Sequence, residues 1–322
     1  MGEPRHIPVL MEETLALLAP RPGEVYADCT TGLGGHAEAM ARAVAPGGTV
    51  VLNDVDPGNL DYARRRVGAV EGVRVEIVRG NFASLPRVMQ ERGLRADVVL
   101  ADLGFASSQM EDASRGFSFM RDGPLDMRLD PTLPLSAGDL VGSASEAELA
   151  RIIREYGEDP AASRIARKIV RERAAGPIVS TARLAEVVRQ ACAGPERGAG
   201  SGGIHPATRT FQALRIAVND ELGCLDALLH AIATDAKAWA AGRAGSWLTE
   251  DARVGLITFH SLEDRPVKRA FRDLVGAGLA RDVGGGAVGA TEDEIGRNPR
   301  SRSAKLRVVQ FGGSEGERLG QR

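Results

Sequence analysis

A glycine-rich turn followed by an acid, early in the chain, has the residue types and spacing of a nucleoside-binding site. The turn spans Asp28 to His36 and includes Gly32, Gly34 and Gly35. Glycines there let the backbone bend sharply and let a ligand approach the N–H groups at the start of a helix. Asp54, which closes the next predicted strand, can accept hydrogen bonds from the ribose hydroxyls of an adenine nucleoside. Glycines that serve only tight packing are the alternative.

Two cofactor classes use this arrangement, and Asp28 helps to discriminate between them. A dinucleotide enzyme requires G-x-G-x-x-G, and the run that starts at Gly32 ends in Ala37, a permitted variant. Asp28 precedes the turn, where its carboxylate would repel a pyrophosphate but could pair with the cationic methionine end of S-adenosylmethionine. The residues therefore favour a methyl donor, and a nicotinamide-dependent oxidoreductase is the alternative.

Elements that alternate between strand-like and helix-like patterns must position these residues. Short apolar segments are typical of strands buried on both faces of a parallel sheet, and they are expected at 24–29, 49–52, 73–78 and 96–101. Helices are expected at about 35–44, 59–67 and 85–92. This alternation predicts a doubly wound α/β fold.

The alternation stops after Asp102, and a helical pattern follows a long loop. Ser143-Ala-Ser-Glu146 is a capping-box signature that opens a helix. Later features are helices at about 161–174 and 181–192, a flexible loop at 194–203, a long helix from near Pro206 towards His230, and strands at 254–259 and 305–311. The pattern predicts an α/β domain at 1–113 and 205–311, interrupted by an all-helical insertion at 114–204, with a disordered tail at 312–322.

Composition excludes several classes of protein. The chain has 322 residues, of which 43% are apolar and 26% charged, as is ordinary for a globular protein. No segment approaches the roughly 18 apolar residues of a membrane span, and the polar N-terminus predicts no signal peptide. Cys29, Cys192 and Cys224 are far apart, which argues against a zinc site or a disulfide framework and fits a reducing cytoplasm.

The charge balance is nearly neutral but locally uneven. A formal net charge of −2 gives no support to nucleic-acid binding. Basic residues nevertheless outnumber acids between Arg151 and Arg173, and the run from Arg297 to Arg307 contains no acid. Such patches can contact phosphates. Solvated helix faces and a charged tail are the alternative.

A series of motifs, in order along nearly the whole chain, resembles one known family. The motifs are His6–Leu10, Asp28–His36, Asp102–Gly104, Ser107–Gln109, Arg115–Phe119, Pro124–Arg128, Tyr156–Glu158, His205–Arg215, Phe259–Arg265 and Asn298–Ser303. On these residues the sequence resembles the bacterial 16S rRNA cytosine-N4 methyltransferases of the RsmH (MraW) family. Phe105-Ala106 and Ser108 depart from the family's usual residues beside the expected acceptor site.

The resemblance implies a class I (Rossmann-like) methyltransferase fold with an inserted helical domain for substrate recognition. It implies methylation of the N4 exocyclic amine of a cytidine in the decoding region of small-subunit rRNA. The matching positions for S-adenosylmethionine are Gly34, Gly35, His36, Asp54, Phe82, Asp102 and Gln109. No metal is expected. A non-catalytic RNA-binding assembly factor that keeps the fold is the alternative.

Asp102 is the first candidate for catalysis. Methyl transfer from a sulfonium is an in-line displacement, so the main requirement is to place the nucleophile against the methyl carbon. The cytosine amine is a poor nucleophile because its lone pair is delocalised, and an acceptor bonded to its N–H makes that lone pair more available. Asp102 lies at the carboxyl edge of the predicted sheet, where ligands of this fold bind. A contact with the cofactor and a purely structural cap are the alternatives for this residue.

Several other polar residues are candidates for substrate contacts. His260, Asp264 and Arg265 follow a strand that should end at the same edge, and a structural role is equally open for them. The expected RNA contacts are Arg128, Arg167, Lys168, Arg209 and Arg215, with Arg115 and Asp126 as further candidates, and a structural ion pair is the alternative for each arginine. The expected partner is 16S rRNA of the small subunit in the cytoplasm, without a membrane. A homodimer is one alternative for the oligomeric state.

Overall fold

The computed structural model describes residues 8–104, 107–193 and 205–312. The expected flexible loop at 194–203, the expected tail beyond Gly312, and the Phe105-Ala106 pair lie outside the described residues. The side chain of Ser108 lies outside them as well.

The chain divides into two compact units, one of them discontinuous in sequence. The α/β unit comprises residues 1–104 and 222–322, and the helical unit comprises residues 105–221. The helical unit therefore begins earlier and ends later than the insertion expected at 114–204. The difference at its end arises because the long helix expected from Pro206 to His230 is two helices. Asp220 adopts a left-handed conformation (φ 48°) between them, and the unit boundary falls there.

An eight-stranded sheet forms the centre of the α/β unit. Its strands are β1 (Val25–Asp28), β2 (Thr49–Asp54), β3 (Arg74–Arg79), β4 (Ala96–Asp102), β5 (Leu248–Thr258), β6 (Ala280–Asp282), β7 (Val288–Gly289) and β8 (Lys305–Phe311). The order is β3-β2-β1-β4-β5-β8-β6, with β7 paired to β8. The first five strands are parallel, and β8 runs antiparallel to its neighbours. The expected doubly wound α/β class is confirmed.

Thirteen helices appear in the described ranges. In chain order they are α1 (Met11–Leu18), α2 (Gly35–Val44), α3 (Pro57–Gly68), α4 (Leu85–Glu91), α5 (Ser107–Glu111), α6 (Ala137–Ser143), α7 (Glu146–Gly157), α8 (Ala162–Ala175), α9 (Thr181–Cys192), α10 (Ala207–Asn219), α11 (Glu221–Ala240), α12 (Ser261–Gly276) and α13 (Glu292–Arg297). Short 3₁₀ turns cover Phe82–Ser84, Ala113–Arg115 and Pro299–Ser303. None of the helices in the described ranges has both the length and the apolar character that a membrane span requires.

Both faces of the sheet are covered by helices, as the near-continuous apolar strands predict. Alternate residues of β4 show the two sides: Val98 and Leu100 pack in one apolar cluster, and Val99 and Ala101 pack in the other. The first cluster includes residues of α1, α2 and α3, and the second includes residues of α4, α11 and α12. The strand ends, rather than the buried strand faces, therefore remain for ligands.

The helical unit has its own apolar core, built mainly from α6 to α10. Gly157 allows a close approach of α7 to α10, because a Cβ there would lie 2.7 Å from the carbonyl oxygen of Arg209. The expected capping box at Ser143 and Glu146 is wrong. Ala144 is extended, so Ser143 ends α6, and Ser145 caps α7 by accepting from the N–H of Glu148.

Candidate active site

Three acids stand at the carboxyl ends of three neighbouring strands. Asp28 closes β1 and is in register with Leu52 of β2 and Leu100 of β4. Asp54 and Asp102 follow those partners by two residues and close their own strands. The strand order reverses between β1 and β4, and ligands of doubly wound sheets bind outside the carboxyl ends of the strands at such a reversal. The acids therefore border the ligand position of the fold.

The glycine-rich turn connects β1 to α2 and is tightly packed. Gly34 has a φ of 73°, and a Cβ there would lie 2.9 Å from the Cβ of Ala63. A Cβ at Gly35 would lie 2.3 Å from Cγ of Pro8. Packing alone therefore requires both glycines, whatever ligand the turn binds. The acids around the turn are better indicators of its chemistry.

Asp54 accepts three hydrogen bonds, one of them from the glycine-rich turn. Its carboxylate accepts from the N–H of Gly32 at 2.8 Å, the N–H of Asp56 at 2.9 Å and Nδ2 of Asn59 at 3.3 Å. Burial raises the pKa of Asp54 above its usual value, although these bonds oppose the shift. A carboxylate has about four acceptor positions. The three protein donors therefore fix its orientation and leave capacity for a ligand hydroxyl.

Asp28 is a buried carboxyl group held by its own strand and by the turn that follows it. Its oxygens accept from the hydroxyl of Tyr26 at 2.8 Å and from the N–H of Thr30 at 3.1 Å. Burial raises the pKa of Asp28 to about 7. Burial and the neighbouring Asp28 also raise the pKa of Tyr26, so its hydroxyl stays protonated as the donor. A cation near Asp28 would favour its charged form.

Asp102 carries an unsatisfied buried oxygen. Its peptide N–H donates to Oγ1 of Thr30 at 2.7 Å, which fixes the strand end against the turn. Its Oδ1 is buried and accepts no hydrogen bond from the residues that the structure describes. Burial, followed by the charges of Asp28 and Glu263, raises the pKa of Asp102 to about 8. An unpartnered buried acceptor costs about 1–3 kcal/mol, so this atom is suited to receive a ligand donor.

His36 lies beside Asp102 in the first turn of α2. Its Nε2 is 2.9 Å from the carbonyl oxygen of Val9, so the neutral ring carries its proton there. Its Nδ1 is 3.8 Å from Oδ2 of Asp102, which is too long for a hydrogen bond. This geometry favours a positioning role for His36 over proton transfer.

The remaining predicted cofactor residues occupy different units. Phe82 begins the 3₁₀ turn after β3 and is half-buried against the core of the α/β unit. Gln109 is buried in α5 of the helical unit. The α/β unit thus contains six of the seven predicted positions, and Gln109 belongs to the helical unit.

The polar residues after β5 are engaged with their own unit. Asp264 accepts from Arg307 at 2.8 and 3.2 Å. Burial would raise the pKa of Asp264, but Arg307 and Lys305 lower it below its usual value. His260 Nε2 lies 3.2 Å from Glu263, a buried acid that also accepts from the N–H of Phe259 at 2.9 Å. Arg265 donates to the carbonyl oxygen of Ser261. These contacts favour structural roles for Asp264 and Arg265.

Sequence reasoning missed Tyr26, Thr30 and Glu263 as parts of the site. Tyr26 lies two residues before Asp28, so the period of a strand places both side chains on one face. Glu263 lies three residues after His260, a spacing that brings side chains together on a helix. Both signals were available in the sequence, whereas the bond between Thr30 and Asp102 depends on the pairing of β1 with β4.

The predicted RNA contacts in the helical unit differ in how firmly they are paired. Arg128 forms a bidentate pair with Asp126, at 2.9 and 2.7 Å, and Arg215 forms one with Glu221, at 2.7 and 2.8 Å. Ion pairs that fix both oxygens of a carboxylate favour the structural alternative for Arg128 and Arg215.

The other three predicted RNA contacts lie on α8 and α10. Lys168 pairs with Glu172 at 2.7 Å, and exposed Arg209 donates to the carbonyl oxygen of Glu158. The side chain of Arg167 is 75% exposed, and its one contact with Glu146 is long, at 3.5 Å. Most of its N–H donors therefore remain available to a phosphate.

The raised pKa values of Asp28 and Asp102 predict that the ligand-free protein loses stability as pH rises. Both carboxyl groups keep their protons to about pH 7 and 8 in the native state, whereas the unfolded chain releases them near pH 4. The native state thus binds more protons between those limits, and each group lowers the unfolding free energy by up to about 1.4 kcal/mol per pH unit. Urea unfolding at pH 5, 6, 7 and 8 measures this dependence.

Variants separate this effect from the titration of the rest of the protein. Asp28→Asn and Asp102→Asn should each flatten the decline in unfolding free energy, and the exposed Asp61→Asn on α3 should leave it unchanged. An equally steep decline in the Asp28 and Asp102 double variant would contradict the assignment.

Comparison with known proteins identifies the family of the chain. Residues 3–312 match the MraW methylase family. A protein of Geobacter sulfurreducens is 44% identical over 95% of this chain and 98% of its own length. A protein of Symbiobacterium thermophilum is 45% identical over 94% of this chain and 96% of its own length. Both relatives are named ribosomal RNA small subunit methyltransferase H. The chain therefore belongs to the MraW methylase family.

Proposed function

We propose that the protein transfers a methyl group from S-adenosylmethionine to the N4 amine of a cytidine in 16S rRNA of the small ribosomal subunit, in the cytoplasm. The names of its relatives support the rRNA substrate. The observation that carries the reaction is the unsatisfied buried Oδ1 of Asp102, at the strand-order reversal beside Asp28. It offers an acceptor to an N–H donor at the position where this fold binds ligands.

The residues present fit the proposed cofactor. S-adenosylmethionine supplies an electrophilic methyl group on a positively charged sulfur. Asp54 is oriented by three donors and retains capacity for the ribose hydroxyls. Asp28 offers a buried carboxyl group whose charged form a cationic methionine end would stabilise. His36, whose ring is held by the carbonyl oxygen of Val9, lies in the first turn of α2 beside these acids.

Asp102 would orient the acceptor amine. Its unpartnered oxygen can accept one N4–H, which restricts the amine to an orientation in which the nitrogen lone pair faces the methyl carbon. The amine protons are too weakly acidic for a carboxylate to remove one first. After the C–N bond forms and the C–S bond breaks, the positively charged nitrogen is strongly acidic, and its proton leaves to Asp102 or to water.

Nucleoside analysis tests the proposed function directly. Small-subunit rRNA from cells with and without the protein is digested to nucleosides and measured by mass spectrometry. We expect N4-methylated cytidine to fall in the cells that lack the protein and to return with the wild-type gene but not with Asp102→Ala. Unchanged methylation without the protein contradicts the proposal, and full restoration by Asp102→Ala contradicts the catalytic role of Asp102.

We further propose that the helical unit contributes contacts to rRNA. Arg167, whose side chain is 75% exposed, lies on α8 next to Lys168. Replacing both by Glu should weaken the binding of small ribosomal subunits about tenfold and lower the slope of log affinity against log salt, by about 0.7 for each lost phosphate contact.

A single charge reversal elsewhere in the helical unit serves as a control for a general effect of charge. Arg189→Glu on α9 alters a residue that is also exposed and paired, with Glu186, in the same unit. It should leave the salt slope unchanged. An unaltered salt slope in the Arg167 and Lys168 variant would show that this part of α8 makes no phosphate contacts.

A further inference from the structure

The basic run near the end of the chain begins at the edge of the sheet where the three acids lie. Strand β8 is antiparallel to β5, so its first residue, Lys305, pairs with Thr258 at the carboxyl end of β5. Asp102 pairs with Ile257, and Ile257 pairs with Leu306. Two steps between neighbouring strands amount to about 10 Å. Leu306 therefore lies about 10 Å along the edge from Asp102, and Lys305 is the residue before it.

The segment before β8 is an ordered turn with a regular pattern of exposure. Ser301 is fully buried, and both its N–H and its hydroxyl donate to the carbonyl oxygen of Asn298, at 3.0 and 2.8 Å. Asn298 and Ala304 are buried as well, whereas Arg300, Arg302 and Lys305 are exposed. Small residues thus anchor the turn and hold the three basic side chains outward. We name Arg300, Arg302 and Lys305 the edge strip.

Acids neutralise little of the charge of Arg302 and Lys305 in the edge strip. Arg302 forms no ion pair with the residues that the structure describes. Lys305 lies 3.6 Å from Asp264, but its side chain is 52% exposed and Asp264 already binds Arg307 with both oxygens. The acids of the neighbouring helix α13 stand in its first turn, at the end away from the strip. Arg302 and Lys305 therefore present a local positive charge within a nearly neutral protein.

We propose that the edge strip binds phosphates of the RNA strand on either side of the target cytidine. This inference rests on the proposed function and adds a second RNA-binding surface, on the α/β unit itself. A nucleotide whose base reaches Asp102 brings its phosphodiester backbone along the same edge of the sheet. Exposed basic side chains that precede Leu306, a residue about 10 Å along the edge from Asp102, are suited to hold that backbone without reading its sequence.

Paired variants at the two edges of the sheet test this inference. Arg302→Gln with Lys305→Gln removes two charges of the strip and leaves Asp264 paired with Arg307. Arg74→Gln with Arg95→Gln removes two exposed charges at the amino ends of β3 and β4, which is the opposite edge. The probe is small ribosomal subunits from cells that lack the protein, and filter binding over a range of salt concentrations gives affinity and slope.

The strip variant should bind the subunits about tenfold more weakly, with the salt slope lowered by about 1.4. Its affinity for S-adenosylmethionine, measured by calorimetry, should match that of the wild type. An unchanged salt slope in the strip variant, or an equal loss of affinity in the opposite-edge variant, overturns this inference. Methylation of the subunits by the wild-type protein upholds the proposed function in either case. Wild-type protein that neither binds nor methylates the subunits overturns both.

Discussion

Asp102→Ala should lower the single-turnover rate of methyl transfer by about a hundredfold, which corresponds to about 2.7 kcal/mol of transition-state stabilisation. The loss arises because an oriented acceptor for the amine N–H disappears and the nucleophile is no longer held against the methyl carbon. Asp102→Asn keeps one acceptor oxygen at the same place, so it should retain part of the rate. Rapid-quench measurements at saturating cofactor and ribosomal subunits give these rates.

Cofactor affinity distinguishes the possible roles of Asp102. In the orientation role, Asp102→Ala binds S-adenosylmethionine nearly as well as the wild type does. A fall in affinity as large as the fall in rate would place Asp102 in the cofactor site instead. Asn and Ala variants that are equally inactive, with cofactor binding intact, would show that the charge itself is needed.

Asp54→Ala should weaken the binding of S-adenosylmethionine about ten- to a hundredfold. A charged acceptor for the ribose hydroxyls is worth roughly 1.5–3 kcal/mol. The same change also frees the N–H of Gly32 and the amide of Asn59, which Asp54 now orients. Isothermal titration calorimetry of the folded variant measures the affinity directly.

A matched acid on the following helix controls for the change in net charge. Asp61→Ala removes an exposed acid of α3 and should bind the cofactor as the wild type does. If a folded Asp54→Ala protein also keeps wild-type affinity, Asp54 does not hold the ribose.

The fold class could be predicted because its strands are buried on both faces and read as short apolar runs. The extent of β5 could not. The strand was expected from Val254 but begins at Leu248. Asp235 of α11 accepts from the N–H groups of Trp247 and Leu248, both at 2.9 Å, and so anchors the start of the strand. That contact joins residues of different elements, and local pattern does not reveal it.

The candidate site was predictable where it depends on strand ends and not where it depends on pairing between elements. The acids at the ends of β1, β2 and β4 follow from the alternation, since parallel strands bring their carboxyl ends to one edge. Whether each arginine is held in an ion pair or exposed does not follow from the sequence. Arg215 and Arg167 look alike in sequence, yet the first is held by Glu221 and the second is largely exposed. The roles of all these residues stay predictions.

The order of the strands has a consequence for the growing polypeptide. Strands β1 to β4 are synthesised first, but β8 lies between β5 and β6, so the sheet acquires its last internal strand only when Phe311 has been added. The helical unit is complete at Glu221 and has its own core. Translation at roughly 5–20 residues per second leaves several seconds between these events. The inserted unit can therefore fold first, while β4 still lacks its neighbour β5 and exposes the backbone groups of that edge.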